Sequence, residues 1–318
     1  MGYQKRGLSD RFMQDLLCGF LNPLLSYIKK NDTLLLCIRA DYINIYYRGG
    51  NLLRLERNPR NNSYGAFFNI AYGQSDQIQH LPTVLSEKWQ VELWINSFPI
   101  LKQVMDEYMT AHPAMEREFQ QLVVRENNYS PISNETEYFI IDIEASYPEI
   151  GAKFDLVACK WLAGGRKKDV VQLVLIEMKY ADSALEGEAG IIKHLADANT
   201  LLSDLERNAA LRMSAEKQLN QLNELGLLRH SKVNNRKFIF SPEKAELVLL
   251  LANHNPRSSR LAGILDSEEI KGFSDENSNP FKLRFVAASA AGYGMHDACM
   301  LPLDTFRQTH FLNTAFIK

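Results

Sequence analysis

The chain has 318 residues, a formal net charge of −2, 46 % hydrophobic and 23 % charged residues. That balance fits a globular protein of one large or two modest domains. The charge excludes a uniformly basic nucleic-acid coat and leaves a local basic groove open. No run of 18 apolar residues occurs, so no membrane span is expected.

Asp10, Arg11 and Asp15 stand where a secretory leader needs an apolar run, and a cytoplasmic chain is the expectation. The four cysteines form no CxxC pair, which argues against zinc, and three are expected as buried thiols. In chain order, helical spacing covers 8–29, with Ser9 as cap and Phe12, Leu16, Phe20, Leu24 and Ile28 on one face. Strands follow at 33–40 and 42–48, and Gly49-Gly50-Asn51 turns the chain into LLRLER. Residues 57–82 are weakly patterned and are expected as loops. Helical spacing returns from Ser86 to about Arg125, with breaks near Pro99 and Pro113.

EYFIIDIEAS (137–146), KFDLVACKWL (153–162) and VVQLVLIEMKY (170–180) predict three strands. A helical region over 184–228 follows, then strands ELVLLLAN (246–253) and FKLRFVAAS (281–289). This order implies an α/β layer fold, a mixed central sheet flanked by helices. An N-terminal α/β region of unknown role is expected over 1–110 and a second domain over 111–318.

The second and third of these strands carry the chemistry. A hairpin centred on Arg166 pairs residues whose numbers sum to 332, which sets Asp155 opposite Glu177. Alternation along the strand puts Lys179 on the same face as Glu177. Both faces of the pair are otherwise apolar, so the strands are expected to be covered on both sides. Two facing carboxylates destabilise a sheet, and burying each costs on the order of several kcal/mol. A divalent cation compensates, and carboxylate oxygen is the ligand Mg²⁺ prefers. Such a cation polarises a phosphoryl oxygen and activates water, while a lysine neutralises charge developing on phosphorus. That set of groups suits phosphodiester hydrolysis. A lone Glu-x-Lys is more often a salt bridge at a strand end, and it is the mirrored Asp155 that raises the functional reading.

Asp155 followed, across one hairpin, by Glu177-Met178-Lys179 resembles the PD-(D/E)xK nuclease superfamily, the restriction-endonuclease-like fold. The resemblance spans roughly 111–255 and includes the helix–strand–strand–strand–helix–strand order. Phe154 replaces the motif's proline, at a position that varies in the family. The resemblance implies that Asp155 and Glu177 bind Mg²⁺ or Mn²⁺ and that Lys179 assists the nucleophilic water. It implies nucleic acid as substrate, DNA ahead of RNA, and a homodimer as one assembly. The alternative is a catalytically inactive nuclease-fold module that binds nucleic acid or acts as a scaffold. Glu144 is either the third acid such families add or a solvated strand end. Glu116 is either an acid of the preceding helix directed at the site or a helix-start acid favoured by the macrodipole. Lys193 and His194 fall on the helix expected beside the site, where either a phosphate contact or a solvated face suits them. Arg257 and Arg260, in ANHNPRSSR, are either backbone contacts or part of a polar loop. The Arg166-Lys167-Lys168 turn is expected to be solvated. No phosphate-binding GxxxxGK[ST] loop, GxGxxG or HxxxH pair occurs.

Overall fold

The computed structural model describes residues 6–73, 76–130, 135–147, 152–182, 185–187, 190–230, 236–253, 259–288, 295 and 297–311. They fall into two compact units, 1–130 with 217–236, and 131–216 with 237–318. The class is mixed α/β with one sheet in each unit. No helix among the described residues is long and apolar enough to cross a membrane.

The first unit begins with α1 (Asp10–Leu17) and α2 (Asn22–Lys29), where one helix was expected. The break is enforced locally. Pro23 sits in the first turn of α2, and the Asn22 amide donates to the carbonyls of Leu16 and Leu17, closing α1. Ser9 stands at the N-cap of α1, but its side chain makes no capping bond. Strands β1 (Leu34–Ile38), β2 (Tyr42–Tyr47) and β3 (Gly50–Asn58) follow. Arg48 and Gly49, with φ of 50° and 74°, form the β2–β3 turn. Positive φ at both central residues suits the strand twist, and a side chain at 49 would strike Arg117. Strand β4 (Ser63–Phe67) lies where loops were expected, followed by α3 (Asp76–Gln79) and β5 (Val84–Leu85). SYGAF has little strand character of its own; it is held by its ladder to β3, with Tyr64 and Ala66 buried. The sheet is antiparallel in the order β1-β2-β3-β4-β5.

Helix α4 (Lys88–Ala111) runs through Pro99 without breaking. An interior proline costs about 3 kcal/mol. Burying Val91, Trp94, Phe98, Leu101, Met105 and Met109 outweighs it, at ~1.5–3 kcal/mol for each large apolar side chain. Helix α5 (Met115–Val124) belongs to this unit, although the sequence suggested a boundary near 110. The Gln121 amide donates to the Thr33 carbonyl at 2.8 Å, and its Oε1 accepts from the Gly49 N–H at 2.7 Å.

In the second unit, β6 (Tyr138–Tyr147), β7 (Ala152–Lys160) and β8 (Val170–Tyr180) form an antiparallel meander. Helices α6 (Ile191–Ser203) and α7 (Leu205–Glu224) follow, the unit boundary falling inside α7. Then come β9 (Ile239–Phe240), β10 (Ala245–Ala252), α8 (Ser259–Asp266), α9 (Glu268–Ser274), β11 (Phe281–Ala288) and α10 (Leu303–Phe311). The sheet order is β11-β10-β8-β7-β6, with β9 on β8, and β8, β10 and β11 run parallel. All eight residues of β10 are buried, as are seven in succession on β8, the signature of strands covered on both faces.

Two expectations fail here. The 166–168 turn is solvated at Lys167 and Lys168 but not at Arg166, which is half-buried. The Arg166 guanidinium lies 5.6 Å from the Phe139 ring centre and 5.1 Å from that of Trp161, and it donates to the Thr136 carbonyl. Two cysteines rather than three are buried, Cys37 and Cys159. Cys18 is exposed at the end of α1, its thiol directed at the Gln14 carbonyl.

Candidate active site

The register of the β7–β8 hairpin fixes the site. Leu156 pairs with Ile176, and the ladder continues to Lys160 with Gln172, each pair summing to 332 as the sequence implied. The ladder stops one pair short of Asp155 and Glu177. There the Asp155 Oδ2 accepts the Met178 backbone N–H at 2.8 Å. A side chain takes a hydrogen bond that a strand carbonyl would otherwise supply, and the β7–β8 ladder ends there. On the other side β8 stays paired with β10 as far as Tyr180 and Ala252. The acids therefore sit where β7 and β8 cease to pair, while β7 stays paired with β6 and β8 with β10.

Beside this end of the ladder, the Lys179 Nζ donates to Glu177 Oε1 at 3.0 Å, and both side chains are 2 % exposed. Burial pushes the Glu177 carboxyl well above its usual range, and the Asp155 charge pushes it further; Lys179 pulls the other way. Burial raises Asp155 too, opposed by Lys179 and the Met178 N–H. The two carboxyls lie within hydrogen-bonding reach of each other. Two ionised carboxylates cannot hold that arrangement without a shared proton or a cation.

A contrast within the unit sharpens this. Glu246, equally buried, has both oxygens paired: Oε2 with the Tyr138 hydroxyl at 2.9 Å and Oε1 with Lys160 at 2.8 Å. Glu177 Oε2 is buried with no hydrogen-bond donor. A buried acceptor left so costs about 1–3 kcal/mol. Glu246 is a closed structural network, whereas Glu177 has a coordination position to spare.

Glu144 reaches the same level of the sheet. Ile143 pairs with Leu156 and Ala145 with Phe154, which sets Glu144 across from Asp155. Its charge raises the Asp155 carboxyl, while its own carboxylate pairs with Lys153. Its φ is 50°, in the left-handed region, where a residue with a Cβ pays about 1–3 kcal/mol. Glu144→Gly is expected to raise stability by about 1 kcal/mol, strain relief exceeding the loss of a partly exposed ion pair. Thermal melting tests it. A variant that melts higher yet loses metal binding would mark the strain as functional.

The remaining candidates separate. His194 on α6 joins the site, with Nε2 3.1 Å from Glu177 Oε1. Lys193 points away and pairs with Asp197 on its own helix. Arg260 is exposed at the start of α8, lining a groove of about 540 Å³ with Gly187, Gly190, Ile192 and Gly263. Glu116 is half-buried on α5 in the first unit, and not on the sheet that carries Asp155 and Glu177. Arg257 lies outside the described residues. The His194 contact was beyond sequence reasoning, since helical spacing places it at the margin of a stripe without fixing its target.

Among the described residues, no three or more His, Cys, Asp or Glu side chains group as a metal site. A pair of carboxylates still fits Mg²⁺, which takes one or two from protein and keeps several waters. The Glu177 Oε2 left without a hydrogen-bond partner, on a carboxyl that interacts with Asp155, is the local observation that supports the fit. No family model matches the chain, and neither curated proteins nor solved structures give a match.

Proposed function

We propose that the chain is a metal-dependent nuclease that hydrolyses phosphodiester bonds, acting on DNA ahead of RNA, with a restriction-endonuclease-like core in its second unit. The observation that carries the reading is the buried Asp155–Glu177 pair with Lys179 against it and one carboxylate oxygen unsatisfied. The strand arrangement supports it: an antiparallel meander continued by parallel strands, with the acids where β7 and β8 part.

Asp155 and Glu177 would hold Mg²⁺ or Mn²⁺, which supplies Lewis acidity and an activated water. Lys179 places a positive charge beside these carboxylates, where it can neutralise the charge that develops on phosphorus. Leu175 on the same face of β8 and Leu249 opposite Glu177 on β10 are both buried and keep water scarce, so that charge counts for more. Arg260 supplies a cation for the phosphate backbone from the groove on α8. Arg260→Ala should therefore weaken binding uniformly across sequences and lower the salt slope of log K by about 1, read by fluorescence anisotropy at several salt concentrations.

The direct test is supercoiled plasmid incubated with Mg²⁺, Mn²⁺ or EDTA, alongside an RNA oligonucleotide. Metal-dependent nicking or linearisation by the wild type, absent in Asp155→Ala, supports an endonuclease. A binding or scaffolding module is favoured instead if the protein retains duplex DNA but cuts nothing with either metal. The lack of a third clustered ligand among the described residues is the feature that favours this second reading.

A further inference from the structure

Glu177 Oε1 has two nitrogens within 3.1 Å and Oε2 has no hydrogen-bond partner, and that asymmetry has a structural origin. Helix α6 buries Ile191, Leu195, Ala198 and Leu202 along one face and packs against β7 and β10. It thereby bridges the strands on either side of β8. His194 falls at the margin of that buried stripe, its side chain 16 % exposed. Its Nε2 lies 3.1 Å from Glu177 Oε1, the same oxygen that receives Lys179 at 3.0 Å. At that distance Nε2 can donate to the carboxylate when it carries the proton. Lys179 has three donors on a flexible stem, whereas His194 is a planar donor on a helix anchored by four apolar side chains. Of the two, His194 is the rigid one.

Resting on the nuclease reading above, we infer that His194 is a positioning residue: it restrains Glu177 at Oε1, which leaves Oε2 without a protein donor, so that Lys179 is not the sole restraint on the carboxylate. Without His194, Lys179 is left as the cation at Oε1 and must hold the glutamate in place of serving the substrate. The role differs from the phosphate contact that the helix position alone suggested, because the side chain is directed at a carboxylate.

The experiment is calorimetric titration of Mn²⁺ into the wild type, His194→Leu and His194→Gln, with thermal melts of each in EDTA. Gln places an amide N–H near the Nε2 position, and Leu offers similar bulk with no donor. His194→Leu is expected to weaken Mn²⁺ binding by about 10–100-fold, the usual scale for a residue that orients a metal ligand. His194→Gln should restore most of the affinity. Wild-type and Leu proteins of equal affinity overturn this inference and leave the nuclease proposal standing. Equal losses in Leu and Gln, together with lowered melting temperatures in both, assign His194 to packing and also overturn it. A wild type that takes up no Mn²⁺ overturns both readings.

Discussion

Lys179→Ala is expected to lower metal-dependent cleavage by about 10²–10³-fold, the scale seen when one donor to a developing oxyanion is removed, while leaving a Mn²⁺ titration nearly intact. The ammonium is buried against Glu177 and is not itself a metal ligand. Its removal deletes charge that is useful only as phosphorus gains electron density, so the effect belongs in the rate and not in metal affinity. Stability bears on whether the variant can be measured at all. Breaking a buried ion pair by removing one partner costs about 3–5 kcal/mol when the survivor stays charged. Glu177 escapes most of that cost, because burial and Asp155 already raise its carboxyl far enough to take up a proton. Asp155→Ala should behave differently, losing cleavage and Mn²⁺ uptake together. Single-turnover cleavage and calorimetry on the two variants separate the roles. Equal loss of metal in both would reduce Lys179 to a counter-charge for the acids.

Legibility in the sequence followed the strength of local pattern. VVQLVLIEMKY gave strand β8 with its bounds because seven consecutive buried positions leave the period no ambiguity. The Gly164-Gly165 turn sets the register, and the register brings Asp155 and Glu177 together just past the last ladder pair, Leu156 with Ile176. What the sequence could not show depends on partners distant in the chain. Strand β4 exists because β3 pairs with it, and nothing in SYGAF announces that. Helix α4 survives Pro99 because its apolar face is covered, an energy no local propensity contains. Arg166 reads as a turn cation until Phe139 and Trp161 are brought beneath it. The site divides the same way. Asp155, Glu177 and Lys179 are related by alternation and a hairpin, which arithmetic resolves. His194 meets Glu177 only through the packing angle of α6.

Glu177→Gln should raise the stability of the metal-free protein at neutral pH by about 1–4 kcal/mol, the range for replacing buried charge with a neutral group, and abolish Mn²⁺ uptake. The sign follows from linkage. The Glu177 carboxyl sits higher in the folded state than its unfolded value near 4.3, so the folded protein holds a proton that the unfolded chain releases. Stability is greatest below the unfolded value and falls as pH rises through the elevated folded one. Asp155, raised for the same first reason, contributes in the same direction. Glutamine does not titrate, so the variant's advantage should be absent in acid and grow through this window. The groups facing the position are Asp155 on β7, Lys179 on β8, His194 on α6 and the apolar Leu249 on β10, with Glu144 on β6 acting on Asp155. Mn²⁺ should reverse the slope for the wild type alone, because a cation competes with the proton for the carboxylates and gains as pH rises. Melting temperatures with EDTA and with Mn²⁺, from about pH 5 to 9, test the whole scheme. A wild-type curve in EDTA that runs parallel to the variant's would show that Glu177 ionises without penalty, and the compensation that implies a cation at this site would not be needed.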